Sequence, residues 1–356
     1  MTPDVTVILP CRNEAKHIRA CLDSILAQNV GAIELEVIVV DGMSEDGTRE
    51  AVSAVAASDG RVSLLDNSRR IVPTGMNLAL RRAHAPVIAR MDVHCVYPPD
   101  YLASCLTALR KSGADNVGGL VRTLPRGQGG AARTVAALSS HPFGVGDARF
   151  RTGARAGYVD TVPFGCYRRE TFERYGVFDE RLVRNQDYEF NARLRAAGGK
   201  VWLDPSIAAE YFNQGTLAGL LRQAFLTGRW NVFTWYLAPY SLRPRHLIPG
   251  LFAAALLLGT MLASFVPFIL TLLLATAGLY ALLAVCSAAQ QAVRFRDALL
   301  VMTLPPAFFA YHLSYGAGTL LGAAALLLRR LPFTATTPPW SGAPGLRLHP
   351  SMKEGL

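Results

Sequence analysis

The chain has 356 residues, 51% of them hydrophobic and only 17% charged, with a positive mean hydropathy and a formal net charge of +10. That is too apolar for a protein soluble throughout, and long enough for one large domain plus a further part. All but four of the basic residues are arginine, which suits bidentate phosphate binding and the cytoplasmic flanks of membrane segments. They form no long run and accompany no zinc-finger, RNP or helix-turn-helix pattern, which argues against nucleic acid as a partner.

A short apolar run over residues 5–9, closed by Pro10, reads as a buried strand. A helix is expected over residues 14–27, with Ile18, Cys21, Leu22 and Ile25 on one face. A second strand over 35–40 ends at Asp41, and a helix follows the polar turn 42–48. Strands over 62–65 and 87–91 flank a helix over 73–83. Strands alternating with helices imply a parallel sheet with right-handed crossovers, whose ligands bind at the carboxyl ends of the strands. Polar residues collect there: Arg12, Asn13 and Glu14 after the first strand, Asp41 after the second, Asp92 and His94 after the fourth. Strand alternation puts Asp92 and His94 on one side. A carboxylate and an imidazole suit Mn²⁺, and the carboxylate Mg²⁺, leaving an open face for a diphosphate. The plainer alternative is that Asp92 caps the next helix and His94 is a loop histidine. With no G-x-G-x-x-G and no G-x-x-x-x-G-K-[ST], a mononucleotide held by carboxylates and backbone remains.

The Gly-, Arg- and Pro-rich stretch 140–158, with Arg149, Arg151 and Arg155, suits closure over a diphosphate or contact with anionic lipid. Residues 247–293 carry no charge, nor do 298–328. A span needs about 20 apolar residues, so the first block holds two spans, turning near Pro267, and the second at least one. Pro305-Pro306 are expected to break that third segment or make it re-entrant. Trp230, Phe233, Trp235, Tyr236 and Tyr240 form an aromatic belt before the first span. Scattered cysteines and an N-terminus without a signal pattern suggest a cytoplasmic domain over 1–215. Interfacial helices over 216–245, a membrane region over 246–330 and a Pro/Gly-rich tail over 331–356 follow.

Three stretches together resemble family-2 glycosyltransferases of the GT-A fold: Leu9-Pro10-Cys11-Arg12-Asn13-Glu14, Val39-Val40-Asp41-Gly42-Met43-Ser44-Glu45-Asp46-Gly47-Thr48 and Asp92-Val93-His94. The second follows V-V-D-D-G-S-x-D-G-T with Gly42 at the second Asp. The third is a D-x-H in place of D-x-D. Further on, Tyr175-Gly176-Val177-Phe178-Asp179-Glu180 resembles G-G-F-D-E, and Asn185-Gln186-Asp187-Tyr188-Glu189 resembles the E-D motif, with Gln186 for the Glu. The D-x-H, the Asn-Gln-Asp and Gly228-Arg229-Trp230 are also similar to succinoglycan-type exopolysaccharide glucosyltransferases.

The resemblance implies a mostly parallel α/β sheet flanked by helices, with a C-terminal transmembrane region. It implies a nucleoside-diphosphate sugar donor, UDP-linked, contacted by Pro10, Arg12, Asn13, Glu14, Asp41, Gly75, Asn77, Arg90 and Asp92. Mn²⁺ or Mg²⁺ would sit on Asp92 and His94, and Asp187 would be the catalytic base. Phe164, Gly165, Gln186, Gln223, Arg229 and Trp230 would serve the acceptor and diphosphate, the last three from a widened Q-x-x-R-W motif. No motif supplies a second, nucleophilic carboxylate, so a single inverting displacement is expected. The expected acceptor is a lipid-linked saccharide at the bacterial plasma membrane, met among membrane lipids by a chain that can form homo-oligomers. A processive synthase, a polyprenyl-phosphate sugar transferase and an inactive scaffold are the alternatives.

Overall fold

The computed structural model of the chain describes residues 3–333 except 32 and 154; the tail lies outside the described residues from 334 onward. The first half alternates β1 (Val5–Cys11), α1 (Ile18–Leu26), β2 (Leu35–Asp41), α2 (Thr48–Ser58), β3 (Val62–Asp66), α3 (Val72–Arg82) and β4 (Val87–Arg90). Then come β5 (Cys95–Val96), α4 (Tyr101–Ser112), β6 (Asn116–Leu124), α5 (Gly130–Ser139), and the single turns α6 (Pro142–Val145) and α7 (Arg149–Thr152). β7 (Gly157–Tyr158), β8 (Cys166–Arg168), α8 (Arg169–Tyr175), α9 (Gln186–Ala196) and β9 (Val201–Phe212) complete the sheet region. Four long helices end the described chain: α10 (Leu217–Leu237), α11 (Pro244–Ala263), α12 (Pro267–Phe295) and α13 (Leu300–Leu327).

The strands form one mixed sheet in the order β3-β2-β1-β4-β8-β6-β9-β5, with β7 paired to β9. β3, β2, β1 and β4 run parallel, as the alternating pattern requires, and β8 enters antiparallel between β4 and β6. β1 and β2 read as continuous apolar runs because both faces are covered: α1, α2 and α4 pack one side and α3, α8 and α9 the other. The register pairs Cys11 with Asp41 and Ile8 with Arg90, so the strand ends that carry the polar motifs lie side by side.

Two boundaries differ from expectation for local reasons. α1 starts at Ile18 rather than near residue 14. The N–H groups of Asn13, Glu14 and Ala15 are bound across the loop, to Ser44 Oγ at 2.7 Å, Thr48 Oγ1 at 2.7 Å and Asp46 Oδ2 at 3.1 Å. β4 ends at Arg90, so Asp92 and His94 lie in a turn and strand alternation does not place them.

α11 and α12 are long and apolar enough to cross a membrane, by length and composition. Their side chains are largely uncovered, Leu251 of α11 at 65% and Phe268 of α12 at 73%. The break between them falls at Pro267, the first residue of α12, where its missing N–H costs nothing. α13 behaves differently. Pro305 and Pro306 leave it continuous, flanked by Leu304 and Ala307, both buried against α5. Its other half packs on α10 through Gly228, Gly318 and Gly322 and on α11 through Gly316, all of which face neighbouring backbone too closely for any side chain.

Candidate active site

Asp92 sits in the turn after β4 with its side chain 22% exposed. Its Oδ1 accepts the His94 N–H at 3.0 Å, and its Oδ2 lies 3.0 Å from Arg90 Nη2. Asp92 therefore braces its own turn rather than capping the next helix, whose N-cap is Asp100, and its carboxylate also lines a cavity. His94 turns the other way: its Nε2 lies 3.1 Å from Glu14 Oε1, and its ring is not part of the cavity lining. The Glu14 bond raises the His94 pKa above its ordinary value, against the opposing effect of burial.

Arg90 is buried and carries the site's electrostatics. Its guanidinium stands 5.1 Å over the Phe164 ring and reaches Asp187 Oδ2 at 3.8 Å. Arg90 is fixed from the backbone, where its N–H bonds the Gly165 carbonyl at 2.9 Å. A side chain at Gly165 would collide with Asn116 and Tyr167, and Phe164 adopts a positive φ of 50° in that tight turn. Asp187 is the second residue of α9, its side chain 28% exposed. Burial pushes its carboxyl above the usual aspartate range; the Arg90 charge opposes this and the Asp92 charge adds to it. A nearby base with raised pKa is a stronger proton acceptor, provided it is ionised. Its Oδ1, the Oε1 of Gln186 and the Oε1 of Gln223 are buried without a hydrogen-bond partner among the described residues.

These groups meet at one cavity of about 950 Å³. Arg90, Asp92, Phe164, Gln186, Asp187 and Gln223 line it at the sheet end. Ile248, Phe252, Tyr280, Tyr311 and Tyr315 line it at the helical end.

Several expected residues lie elsewhere. Asp41 is fully buried: its carboxylate accepts from Ser44 N at 2.8 Å and Arg49 Nη1 at 3.0 Å, and it braces the loop. Asn77 donates to the Phe178 carbonyl at 2.9 Å and Glu180 Oε1 at 3.0 Å and accepts from Phe178 N at 3.0 Å, tying α3 to the segment before α9. Gly75 lets α3 approach Asn67 and Val40. Pro10 lies within β1, and Arg12 and Asn13 are exposed at its end; a side chain at position 42 would press on the Arg12 stem at 3.2 Å. Arg229 and Trp230 miss the cavity. α10 is uninterrupted, so a spacing of six from Gln223 puts Arg229 on the far side, over Phe233 at 5.9 Å. The helical period instead brings Thr227 and Asn231 beside Gln223.

The glycosyl transferase family 2 profile matches residues 6–176. The succinoglycan biosynthesis protein ExoA of Rhizobium meliloti is 32% identical over 225 residues, 63% of this chain and 67% of that one. The chain belongs to glycosyltransferase family 2. A Methanococcus voltae relative, dolichyl N-acetyl-alpha-D-glucosaminyl phosphate 3-beta-D-2,3-diacetamido-2,3-dideoxy-beta-D-glucuronosyltransferase, is 21% identical over 63% of this chain and 71% of its own. The solved mannosyltransferase PcManGT of Pyrobaculum calidifontis, in complex with GDP-Man and Mn²⁺, superposes with a TM-score of 0.55 at 23% identity. It covers 93% of this chain and 88% of that one, and so shares its fold, GT-A.

In this glycosyltransferase the sequence reading missed Arg184, Asn185, Thr227 and Asn231 at the cavity. Asn185 was legible within the Asn-Gln-Asp stretch: its Nδ2 donates to Asn231 Oδ1 at 2.7 Å, linking α9 to α10. Arg184 lines the cavity one residue earlier, its pKa lowered by burial and then by the Arg222 charge. A cation held at such cost of desolvation, beside Arg151 on the same cavity, suits a diphosphate.

Proposed function

We propose that this enzyme transfers a sugar from a nucleoside-diphosphate sugar to a hydroxyl of a lipid-linked saccharide. The observation that carries the reading is the single cavity joining Asp92 and Asp187 to the apolar, aromatic faces of α11, α12 and α13. An acceptor with a hydrocarbon tail would enter from the exposed helices and present its hydroxyl at Asp187. Asp187 takes the hydroxyl proton as the oxygen attacks the anomeric carbon from the face opposite the leaving diphosphate, which inverts it. Arg184 and Arg151 bind the diphosphate, and Arg90 orients Asp187. Relatives in succinoglycan synthesis and one named for a dolichyl-linked sugar phosphate support this acceptor class.

The residues present fit a divalent ion. Asp92 offers a carboxylate to the cavity, and His94 keeps a buried Nδ1 without a partner among the described residues. Among the described residues no group of three or more His, Cys, Asp or Glu gathers as a cage. That matches Mg²⁺ or Mn²⁺ sites in which one or two protein ligands act with substrate phosphates and water. Asp92 would hold the ion together with substrate phosphates and water, and His94 would join it only by turning its ring from Glu14 toward the cavity; when bound, the ion would neutralise charge on the diphosphate. α11 and α12 anchor the chain in the bacterial plasma membrane with the sheet domain in the cytoplasm.

The test uses the full chain in detergent with a panel of UDP- and GDP-sugars, including the GDP-mannose bound by the structural neighbour. A polyprenyl diphosphate-linked saccharide and the same free saccharide serve as acceptors, with and without EDTA. Transfer from one donor, restricted to the lipid-linked acceptor and stopped by EDTA, is the expected result. Equal transfer to the free saccharide would remove the lipid assignment, and a long polymer would favour a processive synthase.

A further inference from the structure

A second pocket, of about 530 Å³, lies where the sheet domain meets the first turn of α11. We propose that it binds a phosphate group, supplied by the headgroup of an anionic phospholipid. Four guanidiniums line it, from Arg149, Arg195, Arg243 and Arg245, against the two carboxylates of Asp147 and Asp160. Arg245 uses both carboxylates: its Nη1 donates to Asp147 Oδ1 at 2.8 Å and its Nη2 to Asp160 Oδ2. Among the described residues Arg195 reaches only a backbone carbonyl, that of Asp160, at 2.9 Å. Arg243 and Arg149 have no ion pair among the described residues, and Arg243 Nε is buried with no hydrogen-bond partner.

Three cations from three elements therefore converge with no ion pair of their own among the described residues. Arg195 registers the repulsion: its pKa falls below the usual arginine value, through burial first and then through the charge of Arg243. A phosphate would satisfy the convergent donors through charge-assisted, bidentate bonds. The headgroup source follows from position and rests on the membrane reading of α11. Ile248, five residues past Arg243, is 63% exposed and Leu251 is 65% exposed. At about 1.5 Å per residue, acyl chains lying on that face begin within one lipid headgroup of the pocket. The pocket is distinct from the catalytic cavity, although Arg245 borders both.

The experiment follows thermal unfolding of the full chain in a neutral detergent. It is titrated with short-chain phosphatidylglycerol, phosphatidylcholine of the same chain length, or sodium phosphate at fixed ionic strength. Phosphatidylglycerol should raise the midpoint at concentrations where phosphatidylcholine does not. Arg149→Gln with Arg243→Gln should weaken that response about tenfold or more, the effect of losing charge-assisted bonds. Arg243→Lys should restore part of it, and the single Arg149→Gln, at an exposed position, gives a weakened response should the double variant fold poorly. If sodium phosphate acts as strongly as phosphatidylglycerol, the phosphate site stands and the lipid source falls. An unchanged response in the variants, or equal responses to both lipids, overturns the proposal. Sugar transfer is not the readout, so failure of the acceptor assignment leaves this result interpretable.

Discussion

The loop at the ends of β1 and β2 and the cavity beside β4 belong to one sheet, yet the carboxylates of Asp41 in the first and Asp187 at the second are bonded differently. At the first, both oxygens of Asp41 are bonded within the loop, and Asn77, behind it on α3, has both ends of its amide bonded. At the second, Arg90 Nε, Gln186 Oε1, Asp187 Oδ1 and Gln223 Oε1 are buried without partners among the described residues. Buried polar groups are almost always satisfied in folded proteins. A cluster of unsatisfied groups around a cavity is what the proposed substrate site requires, since substrate would supply the missing partners. Among the motif residues, Asp41 and Asn77 are bonded within the fold, whereas Gln186 and Asp187 bring oxygens without partners among the described residues to the cavity.

The division breaks most visibly at Asp187. Asp187→Asn should lower kcat by roughly 10²–10⁴-fold, the span of general-base catalysis, while donor affinity stays close to wild type. Initial rates and calorimetric donor titration read the two separately; turnover within a few fold of wild type would remove Asp187 as the base.

Asn77 tests the other side. Asn77→Ala removes bonds to Phe178 and Glu180 and leaves a buried carbonyl and N–H unsatisfied, which should cost about 3 kcal/mol of stability. The donor KM of the folded fraction should not change; a large rise in KM with an unchanged unfolding midpoint would return Asn77 to the binding site. Gly228→Ala should cost about 1–3 kcal/mol, because its methyl group would collide with the Tyr315 carbonyl where α10 meets α13. Gly278→Ala is the control, since nothing among the described residues lies within 4 Å of a methyl group there.

The sheet was legible because its information is local. Apolar runs of strand length, closed by Pro10, Asp41 or a polar turn, fix β1 to β4, and their parallel order follows from the intervening helices. Asp92, Gln186 and Asp187 were legible as motif residues, and the structure brings them to one cavity. What a motif does not carry is which way a side chain turns once the backbone is fixed. Asp92 and His94 diverge because β4 stops two residues short of Asp92. Arg229 misses the cavity because α10 runs unbroken through the widened motif. The continuity of α13 through Pro305-Pro306 was hidden too, since burial against α5 outweighs two missing backbone bonds and is a long-range contact.

α10 offers a finer test of the same contrast. Gln223→Ala should raise the KM for acceptor about tenfold, through loss of a polar contact made only with substrate. Arg229→Ala should leave that KM unchanged, since its guanidinium faces Phe233. A reversed pair of results would mean that α10 turns about its axis when substrate binds.

The smallest effect concerns pH, and it sets catalysis against stability at one residue. Burial raises the Asp187 pKa above its unfolded value, so the folded state holds that proton more tightly than the unfolded chain does. Stability therefore falls as pH rises from the ordinary aspartate range through the raised value, and above it the ionised carboxylate is a net cost. Solvent reaching a side chain that is 28% exposed keeps this cost modest. Asp187→Asn should then unfold at a slightly higher temperature than wild type at neutral pH, with Arg90 keeping Asp92 as its partner. The gap should close on acidification below the ordinary aspartate range, while the acid limb of wild-type kcat/KM lies above that range. An Asn variant less stable than wild type at neutral pH would make Asp187 a structural anion paired with Arg90, and the base would have to be sought elsewhere on the cavity wall.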